Sequence, residues 1–450
     1  MSTFLNDIIQ TIADRGRTLL DFKPREGTSL DAIAAACRLL LSQRGEASGV
    51  ALAQDILRGY AALSADDKTA FFRRLHDDFG TDAEKLATVA ARYAETRTED
   101  DARALHEIAE PLRQELIRRL NLAPGGTGAL VAMRDELIAR LPDEPSLRTV
   151  DADFEHLLSS WFNRGFLVIR RVDWSTPAVV LEKIIRYEAV HAIQGWDDLR
   201  RRIDPPDRRL YAFFHPTLSD DPLIFVEVAL TADIPDAIAP ILSAERKPVV
   251  PAQATTAVFY SISNCHTGLR GVSFGSFLIK QVVEELCKEL PNLKNFVTLS
   301  PVPGLRSWLD KLRADPQSPL LRPGERQRLE TAIDKDALIG RESAALKAVL
   351  MPLAAHYLLR EKTPRGQPLD PVARFHLGNG AKLERVNFAA DLSPNGLSRG
   401  AGIMVNYLYR PSEIEASHEA YATSGAVSAS PSVLKLARSV PEPKSLVPAR

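Results

Sequence analysis

The sequence predicts an α+β protein, in which an all-helical first part precedes a domain built on a mixed β-sheet. Two observations support this fold class. Through residues 1–150, apolar residues recur at spacings of three and four, and only five of the 30 prolines occur there, which favours consecutive helices. After residue 150, short runs rich in β-branched and aromatic residues alternate with helical patterns, as is typical of strands joined by helices.

The helical part is punctuated by residues that cap helices. Serine or threonine stands directly before three of the predicted helices, at Ser29, Ser64 and Thr81. In that position the side-chain oxygen accepts a hydrogen bond from a free N–H of the first turn. A proline-containing linker at 141–146 closes this part. We therefore expect a helical domain over residues 1–150.

The second part contains five runs with strand character, at 166–172, 210–216, 223–230, 256–263 and 295–300. Helical patterns lie between several of these runs, and residues 304–363 are again mostly helical. We expect one mixed-sheet domain over residues 151–415. Residues 416–450 are small, polar and interrupted by proline, which predicts a poorly ordered tail.

Composition argues against several classes of partner. The 450-residue chain is 45% hydrophobic and 26% charged with a net charge of −1, which disfavours a nucleic acid held by bulk electrostatics. No apolar run approaches the roughly 18 residues that span a bilayer. Three cysteines without metal-ligand spacing indicate no metal site and suit a reducing compartment. We expect a cytoplasmic enzyme or binding protein without a membrane partner.

A glycine-rich loop follows the predicted strand 256–263. Glycines at 268, 271 and 275 precede a helical pattern, and the run 295–300 then returns as a strand. Glycines allow a ligand to approach the backbone, and free N–H groups at a helix start bind phosphate. The loop has neither the Walker pattern nor Gly-x-Gly-x-x-Gly, which disfavours nucleotide hydrolysis and hydride transfer. A tight turn without a ligand also explains the glycines.

Longer stretches of the sequence resemble the malonyl-CoA decarboxylase family. They are FYSISNCHTGLRGVSFGSFLIKQVVEELCKELPNLKNFVTLSPVPGLRSWL (259–309), DPVARFHLGNGA (370–381), YEAVHAIQGWDDLRRRI (187–203), EVALTADIP (227–235) and GIMVNYLYR (402–410). The resemblance implies a helical, oligomerisation-type domain followed by a catalytic domain of the GNAT acetyltransferase fold. In that fold the CoA pyrophosphate binds the loop after a central strand, and the pantetheine arm lies where that strand splays from the next. The phosphate-binding residues so implied are Arg270, Gly271, Val272, Ser273, Phe274, Gly275 and Ser276.

The resemblance also implies the reaction and two catalytic residues. Ser300, in LSPVPG, and His376, in FHLGNGA, match the family's motifs. The implied reaction is decarboxylation of malonyl-CoA to acetyl-CoA and CO₂ through an enolate, without a cofactor, in fatty acid metabolism and as a homotetramer. Ser300 is expected to bind the leaving carboxylate or relay a proton. His376, with an unperturbed pKa near 6.5, is expected to protonate the enolate carbon.

Two other functions stay open at this point. One is a CoA-dependent acyltransferase that moves an acyl group onto an amine. The other is a catalytically silent acyl-CoA sensor whose helical domain signals to a partner. We interpret His191 and His215 as structural residues, and Tyr409 as a core residue rather than a lining of the substrate cavity. The preference between malonyl-CoA and methylmalonyl-CoA is not encoded in any motif that we recognise.

Overall fold

The structure, a computed structural model, describes residues 29–42, 45–218, 220–272, 277–330 and 333–441. The chain divides into two compact units. The first takes the chain up to Val168 together with two short segments, Phe214–Leu223 and Asn264–Phe274. The second takes the remainder. The units therefore differ from the consecutive segments 1–150 and 151–415 of the prediction, because two loops of the later part are grouped with the helices.

The first unit is helical, as the sequence predicts. The Ser29 and Ser64 side chains accept hydrogen bonds from Ala32 N and Asp67 N, so both predicted caps are confirmed. Thr81 is not the third cap, because the Asp82 carboxylate accepts from the first turn instead. The helices are α1 (Leu30–Leu41), α2 (Glu46–Ala61), α3 (Ala65–Asp77), α4 (Ala83–Thr96), α5 (Glu99–Ala109), α6 (Leu112–Asn121), α7 (Gly126–Arg140) and α8 (Arg148–Trp161).

The later part of the chain contributes a mixed sheet, which has eight strands in the portion that the structure describes. Its order is β1-β2-β3-β4-β5-β8-β6, with β7 also paired to β8. The predicted run 295–300 is interrupted at Leu299 and forms two strands. The polar strand β7 was not among the predicted runs. The strands are β1 (Val168–Arg171), β2 (Arg208–Phe214), β3 (Ile224–Thr231), β4 (Thr256–Asn264), β5 (Asn295–Thr298), β6 (Ser300–Pro301), β7 (Lys382–Asn387) and β8 (Met404–Tyr409).

The two central strands β4 and β5 run parallel and then diverge. Their register runs from Thr256 opposite Asn295 to Phe259 opposite Thr298. The last bond between them joins Leu299 N to Phe259 O at 3.0 Å. The parallel ladder ends there, whereas the antiparallel pairing with β8, which begins in β5, continues at Ser300. The helical first part and the mixed sheet confirm the predicted α+β class, and the divergence of β4 and β5 is the feature that the resemblance to a GNAT-like domain led us to expect.

Residues 416–441 of the predicted tail are ordered, contrary to the prediction, and residues 442–450 lie outside the described residues. Ser428 O and Ser430 N both bond to Leu383 of β7, and Ser430 caps the final helix. That helix buries Val433 and packs against the helix Ser343–Arg360. The helices of this unit are α9 (Ala178–Tyr187), α10 (Trp196–Ile203), α11 (Ala239–Leu242), α12 (Phe277–Glu289), α13 (Leu305–Ala314), α14 (Pro323–Glu330), α15 (Lys335–Ile339), α16 (Ser343–Arg360), α17 (Pro371–Gly378), α18 (Pro394–Gly400), α19 (Ile414–Ser424) and α20 (Pro431–Arg438).

Gly304, at the turn between β6 and α13, leaves room for Tyr357 of α16. A methyl group at position 304 would overlap Tyr357 Oη, whereas the ring carbon Cζ would lie 3.4 Å away. We predict that Gly304→Ala lowers the free energy of unfolding by about 1–3 kcal/mol, the usual cost of overpacking. In a Tyr357→Phe background the same change should cost much less, since the overlapping oxygen is gone. Urea unfolding of the four proteins measures this, and equal losses in both backgrounds would contradict the contact.

Candidate active site

Ser300 and His376 form a buried hydrogen-bonded pair. Ser300 Oγ lies 3.1 Å from His376 Nε2. The residues are 6% and 3% exposed, respectively. Because 76 residues separate them along the chain, only the folding of α17 against the sheet brings them together. The structure therefore unites the two residues that the family motifs indicated.

The local sequences around Ser300 and His376 fix the positions of these two side chains. Ser300 follows the end of the parallel ladder, where the chain leaves β5 and pairs with β8. Asp370 caps α17 by accepting a hydrogen bond from Ala373 N at 2.9 Å, and Pro371 occupies the first helical position. His376 lies in the last turn of this short helix, and its carbonyl accepts from Asn379 N and Ala381 N. The motif DPVARFHLGNGA thus encodes both ends of the helix that carries the histidine.

Two tyrosines of β8 surround the imidazole. Tyr409 Oη lies 2.8 Å from His376 Nδ1, and the Tyr407 ring stacks on the imidazole with centroids 4.6 Å apart. Their alternate positions in VNYLYR place both on one face of the strand. The interpretation of Tyr409 as a core residue is incomplete, because its buried hydroxyl also bonds to the imidazole of His376. The alternation of side chains in VNYLYR indicated a strand, but it could not show that the Tyr409 hydroxyl would bond to His376.

Thr298 provides a second partner for the Ser300 hydroxyl. Ser300 Oγ donates to Thr298 Oγ1 at 2.8 Å, and Thr298 Oγ1 also accepts from Tyr407 N at 3.1 Å. The hydroxyl therefore lies between a threonine oxygen and an imidazole nitrogen. Rotation about one bond moves its proton from one acceptor to the other, so it can also turn towards a bound molecule.

Burial changes the protonation expected of the site. Desolvation lowers the pKa of His376 to about 3 and raises the pKa of Tyr409 well above its usual value. The imidazole and the phenol are therefore both neutral at pH 7 in the folded protein. The expectation that His376 keeps a pKa near 6.5 is wrong for this state. A neutral ring has one N–H and one acceptor nitrogen, which suits its two hydroxyl partners.

The other singled-out histidines lie in different surroundings. His215 Nδ1 is 2.7 Å from Thr217 Oγ1, and the ring packs on Phe162 within the first unit. His191 is buried, and desolvation lowers its pKa to about 4. Its backbone N–H donates to the Glu188 carboxylate, which also accepts from the hydroxyls of Ser261 and Ser263 on β4. Both histidines fit the structural interpretation, and Glu188 is a buried polar residue that the sequence analysis missed.

Three residues of the expected phosphate loop are described, and four are not. Arg270 is exposed, Val272 is buried, and Gly271 has a φ of +85°. A Cβ on Gly271 would lie 2.7 Å from the Glu155 carboxylate, and one on Gly268 would overlap the backbone of α7. Gly268 is therefore required by packing within the first unit and Gly271 by its positive φ, whatever the loop binds. Ser273, Phe274, Gly275 and Ser276 lie outside the described residues.

Two features are absent from the described residues, a cluster of metal ligands and a helix able to span a membrane. Within them, no group of three or more histidine, cysteine, aspartate or glutamate side chains is placed to hold a metal ion. Across the same ranges, no helix combines the length and apolarity needed to cross a bilayer.

The buried imidazole has a testable titration. Folding lowers its pKa from about 6.5 to about 3, so between these values the unfolded chain binds a proton that the folded chain does not. Acidification through this range therefore destabilises the fold. We predict that the His376 signal in a ¹³C-histidine NMR titration stays constant from pH 8 to 5. The spectrum of His376→Asn assigns the signal among the nine histidines. A midpoint near 6.5 would contradict the burial.

Two family models match this chain. The malonyl-CoA decarboxylase C-terminal domain matches residues 165–447, and the N-terminal domain matches residues 79–162. The mitochondrial malonyl-CoA decarboxylase of Anser anser anser is 36% identical over 414 residues, which cover 84% of this chain and 82% of the relative. That of Mus musculus is 36% identical over 417 residues, covering 85% and 84%.

Solved structures agree with these matches. The crystal structure of malonyl-CoA decarboxylase from Rhodopseudomonas palustris is 56% identical with a TM-score of 0.87, and covers 90% of this chain and 99% of that one. The one from Agrobacterium vitis is 53% identical with a TM-score of 0.84 and the same coverage. With both domains matched in order and the fold shared over most of the chain, this protein belongs to the malonyl-CoA decarboxylase family.

Proposed function

We propose that this chain is an enzyme that decarboxylates malonyl-CoA to acetyl-CoA and CO₂, with Ser300 and His376 at the reacting end of the substrate. The observation that carries the proposal is their 3.1 Å hydrogen bond, buried beside the divergence of β4 and β5 in a member of this family. Malonyl-CoA is a β-carboxy thioester, so loss of CO₂ leaves an enolate whose charge spreads onto the thioester oxygen. The substrate is its own electron sink, and the proposed reaction therefore uses no cofactor.

The burial of the pair suits the first half of this reaction. A carboxylate that enters the site exchanges bulk water for a few hydroxyl and imidazole groups. The Ser300 hydroxyl turns from Thr298 to donate to the carboxylate, as its two-acceptor geometry allows. Charge on the carboxylate is poorly solvated there, whereas the enolate that replaces it is more dispersed. Ser300 thus positions the group that leaves as CO₂.

The second half of the reaction needs a proton at C2, and His376 supplies it in this proposal. Its pKa of about 3 in the folded protein makes the ring neutral. An incoming carboxylate 4 Å away would favour the imidazolium by about 4 kcal/mol at an effective dielectric constant of about 20. The carboxylate therefore raises the pKa of His376 from about 3 towards neutrality. The imidazolium would then donate through both nitrogens, with Tyr409 Oη accepting from Nδ1.

The alternative acyltransferase predicts a different product, and one assay separates the two. Carboxyl-labelled malonyl-CoA is incubated with the protein, with and without an amine acceptor, and labelled CO₂, acetyl-CoA and acylated amine are measured. Decarboxylation releases the label as CO₂ in step with acetyl-CoA, whether or not the amine is present. Acylated amine that keeps the label, or no turnover at all, would overturn the proposal.

Substitution of the pair tests its place in the mechanism. We predict that His376→Asn lowers kcat by about 10²–10⁴-fold with little change in KM, because general acid catalysis is lost. Ser300→Ala should lower kcat about 10- to 100-fold, the value of a hydrogen bond to a charged group. If the two residues act as a unit, the double variant should be no slower than the more damaged single variant.

A matched substitution controls this experiment. His418→Asn, in α19, removes a histidine whose Nδ1 bonds to Gly378 O rather than to Ser300. Its kcat should stay near that of the unchanged protein. Near-normal kcat in a folded His376→Asn variant would remove His376 from the mechanism and leave Ser300 and Tyr409 to be reconsidered.

We also propose that the loop over residues 268–276 binds the CoA phosphates. The support is the strand–loop–helix order, the match to the family motif and the exposed guanidinium of Arg270. Because its positive φ already requires a glycine at 271, a substitution there would not report on the ligand. Arg270 is the better probe.

We predict that Arg270→Gln raises KM for malonyl-CoA about tenfold, through loss of a charge-assisted contact, and leaves KM for malonyl-pantetheine unchanged. Malonyl-pantetheine carries the reacting group without the nucleotide phosphates. Arg148→Gln, an exposed arginine of the same unit, is the control and should behave normally with both substrates. Equal effects of Arg270→Gln on both substrates would contradict a phosphate contact.

We infer that the enzyme works in the cytoplasm as a homotetramer in fatty acid metabolism. Support for self-association comes from α4 and α5, two amphipathic helices that pack on each other and bury none of their residues in a single chain. Their half-exposed apolar residues include Leu86, Tyr93, Leu105 and Ile108. A second copy of this chain would cover that surface.

A further inference from the structure

A cavity rich in arginine opens in the sheet-containing unit. It has a volume of about 130 Å³, room for a small ligand rather than a single water. Its charged and aromatic lining residues include Asp198, Arg201, Arg202, Arg208, Arg246 and Tyr260. The mechanism proposed above uses none of them.

The cavity and the Ser300–His376 pair lie on opposite faces of the sheet. Tyr260, which lines the cavity, packs in a core with Val258 and Leu299. Side chains alternate along a strand, so Phe259 points to the other face, where its ring contacts Tyr409. Tyr409 is the partner of His376. A ligand in the cavity is therefore separated from the reacting groups by the thickness of the sheet.

Positive charge exceeds negative charge around this cavity. The four arginines are paired with three carboxylates, namely Asp198, Asp207 and Glu227. Burial raises the pKa of Glu227 to about 7 against the opposing effect of Arg202, so this carboxyl is only partly ionised at neutral pH. At least one guanidinium charge at the cavity is thus left without a full counter-charge from the protein.

The arginines are held in place by the fold. The Arg202 and Arg208 side chains are 6% and 4% exposed, and Arg208 donates to Asp207 O and Ile241 O. Arg202 Nε is buried without an acceptor among the described residues. Arg201 and Arg246 are 47% and 14% exposed, so they lie at the opening. Two anchored guanidinium groups and two accessible ones make a preorganised anion site.

The directions from which the arginine side chains enter the cavity indicate which anion it can bind. The arginines come from three separate parts of the chain: Arg201 and Arg202 from α10, Arg208 from β2, and Arg246 from the segment after α11. A planar carboxylate presents two oxygens to one guanidinium, whereas a phosphate presents oxygens tetrahedrally to several donors. We propose that this cavity binds the phosphate dianion of a small molecule, independently of CoA at the reacting site.

Inorganic phosphate, used as the probe, tests this by isothermal titration calorimetry at low ionic strength on the full chain. One phosphate should bind per chain, and Arg201→Gln should weaken binding about tenfold, as expected for one lost charge-assisted hydrogen bond. Arg246→Gln is the second variant. Arg200→Gln is the matched control, because this neighbour on α10 lies over the Trp174 ring and does not line the cavity.

The same titration separates the sources of the phosphate group. Glycerol 3-phosphate in place of inorganic phosphate tests a monoester, and binding of either anion that depends on Arg201 supports the proposal. Repeating the titration with saturating CoA should leave the phosphate affinity unchanged. The proposal is overturned if neither anion binds, if folded Arg201→Gln and Arg246→Gln variants both bind normally, or if CoA displaces the anion.

Discussion

The structure of the candidate site depends on the divergence of β4 and β5 after Phe259. Up to that point β5 is bonded to β4 on one edge and to β8 on the other, and beyond it the chain continues beside β8 without β4. Ser300 therefore lies next to the strand that carries Tyr407 and Tyr409. The same strand supplies both rings that contact His376, so the continued pairing with β8 assembles the hydroxyl, the imidazole and the phenol in one buried place.

Burial then determines the chemistry of these groups. An exposed histidine would titrate near neutrality and could act as an acid at any time. Buried His376 has a pKa of about 3 and stays neutral, without a second ring proton, until another charge arrives. In our account the substrate carboxylate is that charge, so the acid forms when there is something to protonate. The cavity on the opposite face of the sheet has a different charge balance, because its arginines stay charged and outnumber their carboxylate partners.

Much of this could be predicted from sequence because the signals were local or carried by long motifs. Ser29 and Ser64 cap helices as expected, since capping depends on residues three positions apart. The family motifs indicated Ser300 and His376. The environment of His376 could not be predicted, because its pKa depends on residues that only the tertiary fold brings near it. The ordered tail was missed for a similar reason: its polar segment is held by pairing with Leu383, some 45 residues earlier.

The central claim is that the substrate carboxylate brings a proton onto His376. A malonyl-CoA analogue with a thioether in place of the thioester keeps the carboxylate but cannot lose CO₂. Its binding is followed by calorimetry at pH 6 in buffers of different ionisation enthalpy, which reports proton uptake. A rise in the pKa of His376 from about 3 on binding predicts net proton uptake by the unchanged protein, and none by His376→Asn. No uptake by the unchanged protein, or equal uptake by the variant, would contradict the account.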